Sequence, residues 1–96
     1  GMANRVVGNV IIVDSATINL PYLAANIRGV ALYGTDSTSR LNITYVSSTL
    51  DTIFALGNQI NSPGLSGLTF GGNGFLVTDT MRVLTLTAGT GYIYLC

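Results

Sequence analysis

The sequence predicts an all-β protein, a single-domain antiparallel β-sandwich of jelly-roll-like form with about 8–9 short strands. Valine, isoleucine and threonine, whose branched side chains suit the pleated surface of a strand, total 28 residues, whereas glutamate, lysine and glutamine total one. Clusters of turn-forming residues recur along the chain, as they do between the strands of sandwiches and barrels. An apolar content of 48% excludes an intrinsically disordered chain.

The segments between these turns have the length and composition of strands. The clearest is Arg40–Val46, in which every second residue from Leu41 to Tyr45 is apolar. Met81–Thr87 carries apolar residues on both faces, which predicts a central strand. The predicted strands are Arg5–Val13, Ala16–Leu20, Asn26–Tyr33, Arg40–Val46, Leu50–Leu56, Leu68–Phe70, Gly74–Val77, Met81–Thr87 and Tyr92–Leu95.

Two glycine-rich turns are predicted to close tight hairpins. Phe70 and Phe75 flank the sequence Gly-Gly-Asn-Gly, and both residue types tolerate the positive φ that such turns need. The second hairpin is predicted from Thr85 to Tyr94, over the sequence Ala-Gly-Thr-Gly. Each turn would join two neighbouring strands of one sheet.

The segment from Ser48 to Ile60 fits two structures. Its large apolar residues fall near helical spacing, and Ser48 with Asp51 resembles a helix capping box. Threonine, glycine and asparagine in the segment are weak helix formers, and alternate residues of Leu50–Leu56 would share one face of a strand. We predict a strand and keep the helix as the alternative.

The predicted core consists of large apolar residues inside the predicted strands. Burying them would supply the main stabilising term of so small a domain. They are Val10, Ile12, Ile27, Leu41, Ile43, Phe54, Leu76, Leu84, Leu86 and Ile93.

The residue types needed for catalysis are scarce. General acid–base chemistry uses His, Glu, Asp, Lys, Tyr or Cys, and the chain has no His, Glu or Lys. Cys96 has neither a histidine to activate it nor a second cysteine for a disulfide or zinc site. The four aspartates are isolated from one another in or near predicted turns, where Asp bonds to local backbone: Asp14, Asp36, Asp51 and Asp79. We predict no enzyme, no catalytic residues, no cofactor and no metal.

The low charge content predicts self-association. Four Arg and four Asp make up 8% of the chain and cancel, so the sequence offers no basic surface for nucleic acid. The longest apolar run, Val10 to Val13, is too short for a membrane span, and no signal peptide is expected. Gly1 is interpreted as the remnant of an expression tag, with one domain over residues 2–96. Because an average domain carries about 25% charged residues, we expect copies of this chain to cover part of its surface.

Tyr92 and Tyr94 are the candidate binding residues. They alternate with Ile93 and Leu95, so they share one face of the last predicted strand. Exposed tyrosines of this kind stack on sugars or bases in some proteins. The interpretation we favour is that they lie at a core edge or a subunit interface.

The chain also resembles a family of viral proteins. The segments concerned are 26–34, 41–45, 74–77 and 81–94, which contain Ile-Arg-Gly-Val, Leu-Asn-Ile, Gly-Phe-Leu-Val and Thr-Ala-Gly-Thr-Gly. Their order is similar to small β-sandwich proteins encoded among the virion genes of tailed bacteriophages. The resemblance implies a decoration, tail or fibre subunit located in the virion, and it carries over no catalytic residues.

Two functions are therefore expected. The first is a non-enzymatic structural or assembly protein that forms a cyclic homo-oligomer, a trimer or otherwise a dimer, and also contacts other virion proteins. The alternative is a small binding module for carbohydrate or another surface ligand, with Tyr92 and Tyr94 in its site.

Overall fold

The computed structural model describes residues 4–15, 20, 25–48 and 50–96. Within them the chain forms two antiparallel sheets and no helix, which confirms the predicted all-β sandwich. Gly1 lies outside the described residues, and so does the predicted strand Ala16–Leu20 except for Leu20, which is buried.

The strands divide unequally between the two sheets. The large sheet has the order β1-β2-β9-β3-β6, with β7 paired to β3 beside β6, and the small sheet has the order β5-β4-β8. The strands are β1 (Arg5–Val7), β2 (Val10–Val13), β3 (Ala25–Gly34), β4 (Arg40–Tyr45), β5 (Thr52–Gly57), β6 (Gly64–Thr69), β7 (Phe75–Val77), β8 (Met81–Thr87) and β9 (Gly89–Leu95).

The segment Arg5–Val13 is a hairpin rather than the single strand predicted from sequence. Val7 pairs with Val10, and Gly8 and Asn9 form the two-residue turn, with Gly8 at a φ of 61°. A glycine at positive φ is what a two-residue hairpin turn requires. The predicted strand Arg5–Val13 runs through these two residues without a break.

The core lies between the two sheets and contains half of the predicted core residues. Ile27, Leu41, Ile43, Phe54 and Ile93 are buried as predicted. Three of the other predictions fail because the wrong face of a short strand was chosen. In β2 the inward residues are Ile11 and Val13, so Val10 and Ile12 are half-buried on the outward face; in β7 Val77 is inward and Leu76 is exposed.

A β-bulge explains why β8 has apolar residues on both faces. Ile43 pairs with Val83 and Asn42 with Thr85, so Leu84 is an extra residue in β8. The extra residue shifts the alternation, and both Val83 and Leu86 contact the core. In the order β5-β4-β8 the strand lies at an edge of the small sheet, so the prediction of a central strand is wrong. Leu84 and Leu86, predicted as core, are half-buried.

The ambiguous segment forms a strand, as predicted. Residues 52–57 are β5, which pairs with β4 and buries Phe54 and Leu56. The ring of Phe54 lies 5.8 Å from that of Phe70 and 5.5 Å from that of Phe75, centroid to centroid. This aromatic contact joins the small sheet to the edge of the large sheet.

The turn between Phe70 and Phe75 does not close a hairpin. The amide of Gly74 donates to the carbonyl of Gly71, so the tight turn itself is present. The strands on either side of it, β6 and β7, both pair antiparallel to β3 along the same edge and do not pair with each other. The chain thus leaves the edge of β3 at this turn and then continues along β3 in its former direction. Turn composition alone does not distinguish this path from a hairpin.

The predicted hairpin from Thr85 to Tyr94 is also wrong. β8 belongs to the small sheet and β9 to the large sheet, and the chain crosses between them over Ala88, at a φ of 51°. The carbonyl of Ala88 accepts hydrogen bonds from the Thr35 amide, at 2.9 Å, and the Ser39 hydroxyl, at 2.7 Å. These bonds hold the crossing at a corner of the sandwich. The positive φ of Ala88 therefore accompanies the passage from one sheet to the other and not a hairpin turn.

Candidate interaction surface

The two candidate tyrosines lie at the centre of the large sheet. Their strand, β9, runs between β2 and β3. Ile93 and Leu95 are buried against the core, so Tyr92 and Tyr94 project from the outward face of the sheet, where both are half-buried. The structure places them side by side on one face, as the alternation predicts.

Small and apolar residues flank both tyrosines. Tyr94 pairs with Val10 on one side, while on the other side it pairs with Gly29. In the same way Tyr92 lies between Ile12 and Ala31. No charged side chain is directly opposite either tyrosine, so the centre of this face is apolar.

The apolar area continues to the edges of the sheet through residues that the sequence analysis missed. Tyr33 is 46% exposed and pairs with Leu65, which is 71% exposed. At the other edge Val7 is 58% exposed beside Val10. These residues were missed because their strands become neighbours only through the fold. We call this surface the tyrosine face; it consists of Val7, Val10, Ile12, Gly29, Ala31, Tyr33, Leu65, Gly67, Tyr92 and Tyr94. Gly29 and Ala31 are buried within the chain, and the other residues are half-buried or exposed.

Charge is confined to the margin of the tyrosine face. Arg5, opposite Ile12, forms an ion pair with Asp14, the single ion pair among the described residues. Arg28 is exposed in the bulge of β3, between Ile27 and Gly29. The pairing of Arg5 leaves little net charge to repel an apolar partner.

The small sheet has an outward face of different chemistry. Leu41 and Ile43 are inward, so Arg40 and Asn42 are outward, and they pair with Thr87 and Thr85 of β8. Arginine, asparagine and threonine suit a solvated surface. The outward face of the small sheet is therefore more polar than the tyrosine face. Other exposed apolar side chains, such as Leu50 at 93% and Ile60 at 53%, lie outside the strands.

The carboxylates show no arrangement typical of catalysis. Thr38 donates hydrogen bonds to Asp36 from its hydroxyl and from its amide, and these lower the pKa of that carboxyl. Asp79 accepts a bond from the Thr80 amide, and Asp14 pairs with Arg5. The described residues contain no group of three or more His, Cys, Asp or Glu that could hold a metal ion. The aspartate side chains therefore mainly accept hydrogen bonds from residues close by in the chain. The lowered pKa of Asp36 favours its ionised form, which has no proton to donate.

Two buried side-chain atoms away from the tyrosine face have no hydrogen-bond partner in the described part of the chain. Thr44 is fully buried at 0% exposure, and its Oγ1 has no hydrogen-bond partner among the described residues. Nε of Arg82, on the residue paired with Thr44, is also without one. A buried hydroxyl left unbonded costs about 1–3 kcal/mol.

We therefore expect Thr44→Val to raise the free energy of unfolding by about 1 kcal/mol, because it removes the unbonded hydroxyl. The control is Thr87→Val, since the Thr87 hydroxyl donates to the Thr38 carbonyl at 2.9 Å. That variant should lose up to about 1 kcal/mol. Urea melts of both proteins measure the difference, and a destabilised Thr44→Val protein would show that this hydroxyl is bonded.

Comparison with known proteins gives no relative for this chain. No protein-family model matches it, and no curated protein or solved structure is significantly similar to it. Among the described residues there is no helix long and apolar enough to cross a membrane.

Proposed function

We propose that the protein is a non-enzymatic assembly protein that binds copies of itself. The observation that carries this proposal is the tyrosine face, an apolar outward surface on a chain in which only 8% of residues are charged. Contiguous exposed apolar patches on small proteins mark interaction sites. Most soluble oligomers are closed symmetric homo-oligomers, in which another copy of the chain covers such a patch.

A place in a bacteriophage particle is part of the same proposal. It is supported by the resemblance of segments 26–34, 41–45, 74–77 and 81–94 to small virion β-sandwich proteins, and by a two-sheet fold that suits a structural subunit. A decoration, tail or fibre subunit would also contact other virion proteins.

The chemistry around the tyrosines favours a protein partner over a sugar. Recognition of a polar ligand needs convergent hydrogen-bonding groups that fix its orientation. The residues directly opposite Tyr92 and Tyr94 are Ile12, Ala31, Val10 and Gly29, whose side chains offer none. An apolar surface of this kind suits contact with another protein.

The solution mass tests the proposed function. We expect light scattering after gel filtration, at micromolar concentration and moderate salt, to give a multiple of the 10.0 kDa chain mass. Raising the salt should leave the mass unchanged, because apolar contacts are not screened as charge pairs are. A monomer at the highest soluble concentration would contradict self-association.

A further inference from the structure

We infer that Asn73 is a site of spontaneous covalent modification, at which the side-chain amide is lost and a negative charge is gained. The site lies in the turn between Phe70 and Phe75, away from the tyrosine face, so the inference is independent of the proposed function. The evidence is the residue that follows Asn73, the exposure of its side chain and the backbone geometry of the turn.

The reaction is an intramolecular attack followed by hydrolysis. The backbone nitrogen of Gly74 loses its proton to base and attacks Cγ of Asn73, and the new C–N bond closes a succinimide ring. The side-chain nitrogen takes up a proton and leaves as ammonia. One water molecule then opens the ring. If the bond from nitrogen to Cγ breaks, the product is aspartate. If the original peptide bond breaks, the product is isoaspartate, in which the main chain runs through the former side chain.

The residue after Asn73 favours this attack. Asn73 precedes a glycine, as no other asparagine of the sequence does. A side chain on the following residue crowds the attacking backbone nitrogen, and glycine has none. Asn61 is also exposed outside the strands, but it precedes Ser62. We therefore expect attack at Asn73 to be faster than attack at Asn61.

The side chain of Asn73 is exposed and can turn towards the nitrogen that attacks it. Within the described part of the chain it makes no hydrogen bond, and only its backbone carbonyl has a partner, the Cys96 thiol at 3.4 Å. The side-chain amides of Asn4, Asn9 and Asn58, in contrast, each donate to a backbone carbonyl. The rest of the molecule thus holds the main chain of the turn and not the reacting amide.

The fold itself requires a glycine after Asn73. Gly74 has a φ of 85°, and a Cβ at this position would lie 2.6 Å from the carbonyl oxygen of Ile27. A larger residue would have to push the chain away from β3, to which β7 pairs directly afterwards. The glycine that makes Asn73 reactive is therefore a condition of the fold.

One hydrogen bond must open before the attack. The Gly74 amide donates to the carbonyl of Gly71 at 3.1 Å, so its nitrogen is engaged while the turn is closed. An exposed turn opens locally at a lower free-energy cost than unfolding of the whole domain. We therefore expect the folded protein to react, more slowly than the unfolded chain.

The isoaspartate product lengthens the main chain by a methylene group at the entrance to β7. Phe75 follows directly, pairs with Ile27 and has its ring 5.5 Å from the rings of both Phe54 and Phe70. The longer chain cannot keep both the hydrogen bond of the turn and this pairing. Loss of one such bond should lower the melting temperature of a domain of this size by about 4–8 °C.

Incubation of the folded protein at mildly alkaline pH tests the inference. Ion-exchange chromatography separates the product, whose net charge should fall from zero to minus one, and peptide mapping of the wild-type protein should locate the change at Asn73. Asn73→Ser removes the reacting amide and should abolish this product; serine suits a turn, and residue 73 does not have a positive φ. The matched control, Asn61→Ser, should react as the wild type does.

The same incubation in urea measures the reactivity of Asn73 when the turn is open. A product that forms in urea but not in the folded protein would overturn the inference, because the bond to Gly71 would then protect the amide. A charge gain that persists in Asn73→Ser, or that Asn61→Ser removes, would also overturn it. Enzymatic methylation identifies the isoaspartate fraction, and wild-type melting of that fraction would overturn the effect on β7 while supporting the modification.

Discussion

Shortening Ile43 to alanine should lower the free energy of unfolding by about 2–5 kcal/mol. Ile43 is fully buried in the middle of β4, where it pairs with Phe54 of β5 and Val83 of β8. The substitution removes apolar contacts with both neighbouring strands and leaves a cavity that a strand held on both sides fills poorly. Because small domains are stable by only about 5–15 kcal/mol, this loss is a large share of the total. Chemical denaturation with urea measures it.

Leu84→Ala is the matched control for that substitution. Leu84 is also a large apolar residue of the small sheet, but it is the extra residue of a bulge and is only half-buried. Its truncation should cost about 1–2 kcal/mol, since less surface returns to water. Equal losses from the two variants would mean that the bulge is absent and that Leu84 faces the core.

Adding a methyl group at Gly89 should cost about 3 kcal/mol or more. A Cβ at this position would lie 2.3 Å from the carbonyl oxygen of Tyr33, which is backbone and has no free rotation to escape. Gly89 pairs with Gly34 at the corner where the chain crosses between sheets. Relieving the clash would therefore also pull on the hydrogen bonds that Ala88 accepts from Thr35 and Ser39. We expect Gly89→Ala to lower the melting temperature sharply or to prevent soluble expression.

Gly71→Ala provides the comparison for the glycine variant. Gly71 has open space around its Cβ position and does not have a positive φ. Alanine there should be neutral or stabilise by up to about 1 kcal/mol, because it restricts the unfolded chain. If thermal melts of the two variants agree, the close approach at Gly89 is not a constraint on the fold.

Local sequence signals predict the strands well because they depend on neighbouring residues. Alternation in β4 identifies the strand and two of its three buried residues, Leu41 and Ile43, but not Thr44. The same signal misleads in β8, where the extra residue Leu84 changes which positions face inward. A bulge depends on the register of the partner strand, and a single sequence does not contain that register.

Long-range topology is the part that sequence signals miss. Glycine-rich turns identify where the chain bends, at Gly71–Gly74 and near Ala88, but not which strands it joins. For the same reason the tyrosine face is only partly visible in the sequence. Alternation brings Tyr92 and Tyr94 together, whereas Leu65 and Val7 join them through strand pairings far apart in the chain.

The position of β9 determines the order in which the large sheet is completed. Of the nine strands in the described part of the chain it is the last to be synthesised, yet it lies between β2 and β3, which are made early. Until β9 emerges, the hairpin of β1 and β2 has no sheet to join, and the facing edges of β2 and β3 have no strand between them. Unpaired apolar edges of this kind associate with other chains. We therefore expect chains that lack β9 to associate with other chains more readily than the complete domain does.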